Sequence, residues 1–310
     1  MSLNIVFDMS KYDLFELCEQ RYHLRHNILI GKPGKPEQLD RGSLVHVGME
    51  VYYEALKQKT PLPEAATNAL SKIREAGVIS TDLDNDAINR VIDVVEEYFD
   101  YWQVADQSLQ INDVEKPFIY EIFSNDDVRL FLSGKIDLVV SDNRYDNEPW
   151  DHKSYDRTYP IGRMSNQFKN YCYALKSNFL TVNRIGFQKT LKPHEKFTRP
   201  RLTYDPIMLE DWKQNVITVL MNKYLTCVAE DKWPLNETSC EKWNRKCEYY
   251  EICDSSGIQA KNWKINSDYI KMEPWDVTHV MQKSSEQIEE LKKQREKDVG
   301  DEARPSLEEA

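Results

Sequence analysis

The sequence predicts an α/β fold built on a mixed central β-sheet flanked by helices. Two observations carry this reading. Apolar, β-branched segments gather in the middle of the chain, at 115–123, at 129–140 and in a short stretch ending Trp150-Asp151-His152-Lys153, with a fourth at 182–190. Amphipathic segments of helical period lie on both sides of that block, at 10–25, 38–57, 62–76, 86–104, 161–176 and 205–228.

Taken in order, Ser10-Lys11-Tyr12-Asp13 reads as a capping box that opens a helix to about Arg25, carrying Cys18 and Arg21. Gly31 to Pro36 is a glycine- and proline-rich loop. It contains GKPGK but no G-x-x-x-x-G-K-[ST], so no ATP-binding loop is expected. The helix at 38–57 buries Leu44, Val45, Met49, Val51, Tyr52 and Leu56, with His46 among them. The pair at 62–76 and 86–104 reads as a helical insertion before the strands. Ser141 to Glu148, rich in Asp and Asn, is a turn between two strands. In the helix at 161–176, Gln167 and Tyr171 are four residues apart and share a face. Cys172 and Cys227 read as small packed hydrophobes. The segment from Lys189 through Lys192, Lys196 and Arg199 to Arg201 is a basic loop, either a solvated turn or a phosphate contact. The helix at 205–228 opens on Asp-Pro. Beyond Trp233-Pro234 comes SCEKWNRKCEYYEICD. Residues 1–255 are expected to form one domain and 256–310 a charged extension. Trp263, Tyr269 and Trp275 would pack on the body, and the stretch after Ser284 would fray into disorder.

A chain of 310 residues with 40% hydrophobic and 11% aromatic residues can bury a full core. No apolar run is long enough to span a bilayer, and the opening MSLNIVFDMS lacks the features of a signal peptide, so a cytoplasmic protein is expected. A net charge of −11 argues against indiscriminate coating of nucleic acid but leaves room for a local basic groove. Six cysteines are unevenly spread, with Cys240, Cys247 and Cys253 close together. In a reducing compartment such a cluster reads as metal ligands before it reads as bridges.

Asp137 and Asp151 interrupt segments that otherwise favour burial. A buried carboxylate costs several kcal/mol unless cations or hydrogen bonds offset it. Two on adjacent strands suit a hard divalent ion, which takes oxygen ligands. Lys153 falls on the same strand face as Asp151, because side chains repeat every second residue. A surface hairpin with solvated charges is the rival reading of these residues alone.

Four pieces in order, G-S-L-V-H (Gly42–His46), G-K-I-D (Gly134–Asp137), W-D-H-K (Trp150–Lys153) and Q-F-K-N-Y (Gln167–Tyr171), give the chain a wider resemblance. Together they resemble the PD-(D/E)XK nuclease superfamily, and within it the RecB-type branch that includes a CRISPR-associated exonuclease. The resemblance implies that Asp137, Asp151, His46 and the backbone carbonyl of His152 hold Mg²⁺ or Mn²⁺. Lys153 would stand beside the attacking water, Gln167 and Tyr171 would position the DNA backbone or the lysine, and Glu115 would touch the outer surroundings of the ion. Asp151 stands where many relatives carry Glu. The resemblance further implies a [4Fe–4S] cluster on Cys18, Cys240, Cys247 and Cys253, joining the two chain ends, with a Cys₄ zinc site as the alternative. Here the gap from Cys240 to Cys247 is wider than the C-x-x-C of many relatives, and Asn244 occupies the nearer place. The implied activity is exonucleolytic cleavage of DNA ends or single strands in recombination, repair or phage DNA processing. A structure-selective endonuclease and a silent DNA-end-binding subunit are the rivals. A recombination or replication partner docked through the tail, and a homo-oligomer, complete the expectations.

Overall fold

The structure is a computed structural model that describes residues 3–34, 37–80, 83–141, 146–157, 160–242, 245–274 and 277. The chain divides into Met1–Glu273, which holds every element below, and Pro274–Ala310. The expectations for Asn244, for Trp275 and for the stretch after Ser284 lie outside the described residues.

The chain opens on a strand that patterning did not anticipate, β1 (Leu3–Asp8), which pairs in parallel with β4 (Val128–Ser141). Asp8 closes the strand and caps the first helix, accepting a 2.8 Å hydrogen bond from the Lys11 amide. Helix α1 therefore begins at Met9 rather than at Ser10, and it ends at Leu17. The expected single helix is broken at Cys18, whose backbone is extended at φ −168° and ψ 114°. A short α2 (Glu19–Tyr22) and a wide turn (His23–Asn27) follow, then β2 (Ile30–Gly31). Next come α3 (Glu37–Lys57), α4 (Leu62–Ser80) and α5 (Asn85–Asp106), the last two forming the expected helical insertion.

The sheet proper is built from β3 (Gln110–Ser124), β4, β5 (Glu148–Tyr155), β6 (Phe179–Gly186) and the short β7 (Phe197–Thr198) and β8 (Arg201–Thr203). With β1 it counts seven strands among the described residues, in the order β1-β4-β5-β6-β7, with β3 also on β4 and β8 also on β6. It is mixed. The β1/β4 and β5/β6 pairs are parallel, while β3/β4, β4/β5, β6/β7 and β6/β8 are antiparallel. A single-turn α7 (Pro193–Lys196) leads into β7.

Helices cover both faces. On one, α3, α4 and α5 pack Leu44, Met49, Tyr52, Ile73 and Val95 against Leu138, Val140, Trp150 and Ile185. On the other, α6 (Asn166–Leu175) and α8 (Pro206–Val219) pack Phe168, Tyr171 and Leu209 against Val139, Leu180 and Val182. Sequence reading extended α6 to 161–176. Ser165 instead caps it, and Lys176 in the left-handed region stops it. The long helix expected at 205–228 runs as α8, a wide turn (Leu220–Tyr224) and α9 (Leu225–Glu230).

The C-terminal part of this unit folds back onto the N-terminal part. The hairpin β9 (Glu241–Lys242) and β10 (Arg245–Lys246) and helices α10 (Tyr250–Cys253) and α11 (Gly257–Asp268) precede β11 (Ile270–Lys271), which pairs with β2. Leu24, Ile30, Tyr249, Ile252 and Tyr269 form a small core of their own.

Gly134 shows how tightly the sheet is covered. A Cβ there would stand 2.7 Å from the edge of the Phe118 ring, which packs edge-on against Tyr171 and has little room to retreat. Gly134→Ala is expected to lower stability by about 1–3 kcal/mol through overpacking, read as a lower urea midpoint at unchanged slope.

Candidate active site

The centre forms where β4 and β5 part. These strands pair only through Leu138↔Trp150, Val139↔Pro149 and Val140↔Glu148, and beyond that point the ladder opens. Into the opening the His152 amide donates a 2.7 Å hydrogen bond to Asp137 Oδ2, a side chain taking the place of a backbone partner. In β3 and β4, Val114 faces Leu138 and Lys116 faces Ile136, so Glu115 lies opposite Asp137. Continuing the β4/β5 register by one step sets Asp151 opposite Asp137. Three acids thus stand in a row across three strands.

Glu115 occupies a left-handed backbone position, φ 50°, inside a long strand. That conformation costs a non-glycine residue about 1 kcal/mol or more, and it sets this side chain apart from the regular alternation of its strand. His46 reaches the row from α3, with Nδ1 3.7 Å from Asp137 Oδ2. Ligand atoms of His46, Glu115 and Asp137 all lie within 4.8 Å of one another, the spacing a single divalent ion would bridge. Asp151 stands outside that trio. It is fully buried, its Oδ2 lies 2.8 Å from the Lys153 ammonium, and that oxygen accepts no aligned hydrogen bond. A buried carboxylate oxygen without such a donor suits a cation as its further partner.

A chain of polar contacts holds the ammonium. Lys153 Nζ donates to Asp151 Oδ1 at 3.1 Å and to Gln167 Oε1 at 3.2 Å. Gln167 Nε2 donates to the Tyr171 hydroxyl at 2.8 Å, and that hydroxyl donates to the Lys135 carbonyl at 2.7 Å. Tyr171 is buried and supports Gln167 from beneath. A second lysine, Lys135, pairs with Glu115.

Burial dominates the electrostatics. It pushes the Asp137 and Asp151 carboxyls up to about 6 against the opposing pull of the His152 amide on Asp137 and of Lys153 on both. It likewise raises Glu115, helped by the nearby Asp137, and lowers the His46 ring.

Of the residues expected from sequence, the structure brings His46, Asp137, Asp151, Lys153, Gln167 and Tyr171 to one place. It moves Glu115 from the periphery into the ligand trio and adds Lys135. An acid directly across from the G-K-I-D aspartate was the available signal for Glu115, but reading it requires the strand register. Three cations of the basic segment pair with acids of the protein. Lys196 is buried against Glu97, Arg199 is buried in an ion pair with Asp106 at 2.6 Å, and Arg201 grips the buried Glu148 with two hydrogen bonds of 3.0 and 2.6 Å. Asp106 and Glu148 are buried, while Glu97 is partly exposed. Lys189 and Lys192 are exposed.

A second constellation joins the chain ends. The Asn236 amide donates to Cys18 Sγ at 3.5 Å, and the Asn236 side chain donates to the Leu17 carbonyl at 2.8 Å. The Cys247 amide donates to the Cys240 carbonyl at 2.7 Å. Burial first, then Cys247, Cys18 and Cys240, pushes the Cys253 thiol up to about 11. Burial also raises Cys240, followed by Cys247 and Cys18. All four cysteines are unbridged.

A model of the PD-(D/E)XK nuclease superfamily matches residues 7–254. The chain belongs to that superfamily. The fold of a PD-(D/E)XK nuclease, a mixed sheet flanked by helices with the acids at the parting of two strands, is the one described above. Membership implies divalent-metal-dependent nuclease chemistry and DNA as the ligand. No curated protein matches the chain. A solved structure, described as the crystal structure of SSO0001, is 14% identical over 68% of this chain and 86% of its own, with a TM-score of 0.30, too low to argue from. No helix among the described residues is long and apolar enough to cross a membrane.

Metal binding requires these carboxyls to be ionised, so protons compete with the ion. With Asp137 and Asp151 raised to about 6, the metal-free folded chain holds protons that the unfolded chain releases. Those groups therefore withdraw stability as pH rises from their ordinary range through about 6, and a bound ion restores it above that point. The rise in melting temperature on adding Mn²⁺ is expected to be larger at about pH 7.5 than at about pH 5. Equal shifts at the two pH values would contradict this account.

Proposed function

We propose that the protein is a Mg²⁺- or Mn²⁺-dependent deoxyribonuclease of the RecB-type branch, acting as an exonuclease on DNA ends or single strands. The observation that carries the cleavage chemistry is the trio His46, Glu115 and Asp137 with mutual ligand distances under 4.8 Å, set beside the Asp151–Lys153 pair. Asp137, Glu115, His46 and Asp151 would hold the ion, and imidazole in the set favours Mn²⁺ over Mg²⁺. The His152 carbonyl leaves the strand on the same side as its amide, towards Asp137, and would complete the oxygen ligands. A bound divalent ion supplies a water of lowered pKa and offsets charge on the phosphoryl oxygens.

The protein's own groups do the rest. Asp151 and Gln167 hold the Lys153 ammonium in one place, where it orients the attacking water. Water oxygen adds to phosphorus and releases a proton to solvent, the bond to the leaving oxygen breaks, and that oxygen takes up a proton. Lys153 offsets the negative charge that grows in between. The preference for ends or single strands rests on likeness to the branch alone.

The four thiols would hold a [4Fe–4S] cluster clamping residues 1–30 to residues 235–255. A tetrahedral zinc, with Zn–S bonds of about 2.3 Å, would draw its four sulfurs to about 3.8 Å of one another. A role in recombination, repair or phage DNA processing in the cytoplasm, with a partner docked on 256–310 and self-association of the chain, completes the reading.

End-labelled single- and double-stranded DNA with Mn²⁺ tests the activity. Lys153→Ala is expected to lower cleavage about 10²–10³-fold while DNA binding persists. Asp137→Ala should lose cleavage and the Mn²⁺-induced thermal shift together. Cutting of closed circular DNA would favour an endonuclease, and binding without cutting of any DNA form would make the protein an end-binding subunit. Anaerobic purification should yield a brown protein with broad visible absorbance, lost in Cys247→Ser. A colourless protein with stoichiometric zinc would decide for the ion instead.

A further inference from the structure

A buried polar network outside the cleavage centre runs from Arg199 to the His152 ring in β5. Arg199, from the link between β7 and β8, sits at its hub. Its guanidinium pairs with Asp106 at 2.6 and 3.1 Å and lies 4.0 Å from the centre of the Trp102 ring and 4.8 Å from that of Trp150. The same group donates to the hydroxyls of Tyr53 at 3.0 Å and Tyr98 at 2.6 Å. Two further bonds run on towards the centre. Tyr98 and Asn183 Oδ1 are 3.0 Å apart, and Asn183 Nδ2 and His152 Nδ1 are 2.9 Å apart.

Hydrogen-bond chemistry gives this network a direction. A guanidinium only donates, and it does so at every contact. Tyr98 accepts from Arg199, so its own proton is free to go to Asn183 Oδ1. Arg199 Nε also points at that oxygen, at 3.4 Å. With Oδ1 receiving donors, the remaining end of the Asn183 amide must donate. His152 Nδ1 must therefore accept, which places the ring proton on Nε2. Asn183 is itself the strand neighbour of His152 in the β5/β6 ladder, so the bond is short and built into the register. The ring is further held by stacking on Tyr53, 5.6 Å between centroids and 15° between planes.

His152 is the residue between Asp151 and Lys153, and its amide holds Asp137 Oδ2. The ring and that amide belong to one residue, so an anchor on the ring restrains the backbone that carries the amide. We propose that Asn183, polarised by Arg199 and Tyr98, is a positioning residue of the cleavage centre: it fixes the His152 ring as the Nε2-protonated tautomer and thereby holds the His152 amide against Asp137. This rests on the metal-dependent nuclease reading given above. It also explains why the His152 ring, 6.0 Å from the His46 ring between centres, would not join the ion's ligands: its Nδ1 lone pair is already engaged.

Two substitutions at one site separate positioning from mere packing. Asn183→Leu keeps the volume but offers neither donor nor acceptor. Asn183→Asp keeps the acceptor for Tyr98 and Arg199, and forces His152 Nδ1 to become the donor. Histidine-selective ¹⁵N NMR on metal-free protein, with His152 signals identified by their loss in His152→Phe, reads the tautomer directly. The wild type should carry its proton on Nε2, and Asn183→Asp should carry it on Nδ1. Mn²⁺ affinity, measured by titration without DNA, should fall about tenfold or more in Asn183→Leu. A wild-type His152 protonated on Nδ1, or equal Mn²⁺ affinity in wild type and Asn183→Leu, overturns the proposal. Should the wild type bind no Mn²⁺, the nuclease reading falls, while the tautomer measurement still tests the network.

Discussion

The 2.7 Å hydrogen bond from the His152 amide to Asp137 is the contact on which the centre depends. A sheet that closed its ladder here would pair this amide with a backbone carbonyl and leave no space for an ion. By ending the β4/β5 pairing early and letting a carboxylate accept the amide, the fold converts a strand edge into a ligand site. The same contact partly offsets the desolvation of Asp137, which burial alone would drive further towards its neutral form. Everything around it keeps that opening in register: α3 delivers His46, β3 delivers Glu115, and α6 supports the lysine.

Charge is distributed in alternation across the opening. Glu115 faces Lys135, Asp151 faces Lys153, and Asp137 lies between them with an amide and an imidazole. Each acid has a protein partner beside it. None of these partners balances the trio completely. The raised carboxyls leave such a site ready to exchange protons for a cation.

The strands at the centre were legible because Asp137, Asp151 and Lys153 are polar residues in runs that otherwise want burial, and the four short motifs placed them in order. The helices were legible from period, but their ends were not. Asp8 outcompeted Ser10 as a cap because β1 delivers it in an extended conformation, and β1 itself was missed because LNIVFD is too short to signal a strand without its parallel partner β4. The fate of the basic segment was equally hidden. Lys196, Arg199 and Arg201 look like a phosphate-binding run until Glu97, Asp106 and Glu148, 53 to 99 residues away, prove to be their partners. Pairing across such separations leaves no local trace. The closeness of Glu115 to His46 and Asp137 was hidden for the same reason, since it comes from register.

The folding back of residues 236–271 onto residues 17–31 has a consequence for the timing of biosynthesis. Asn236 bonds to Leu17 and Cys18, Tyr249 donates to the Ile30 carbonyl, and β11 completes a ladder with β2, all across more than two hundred residues of chain. While the polypeptide is still on the ribosome, its leading segment has every one of these groups waiting. The catalytic strands emerge well before that closure, so maturation of the enzyme is gated by the last part of the domain to be translated.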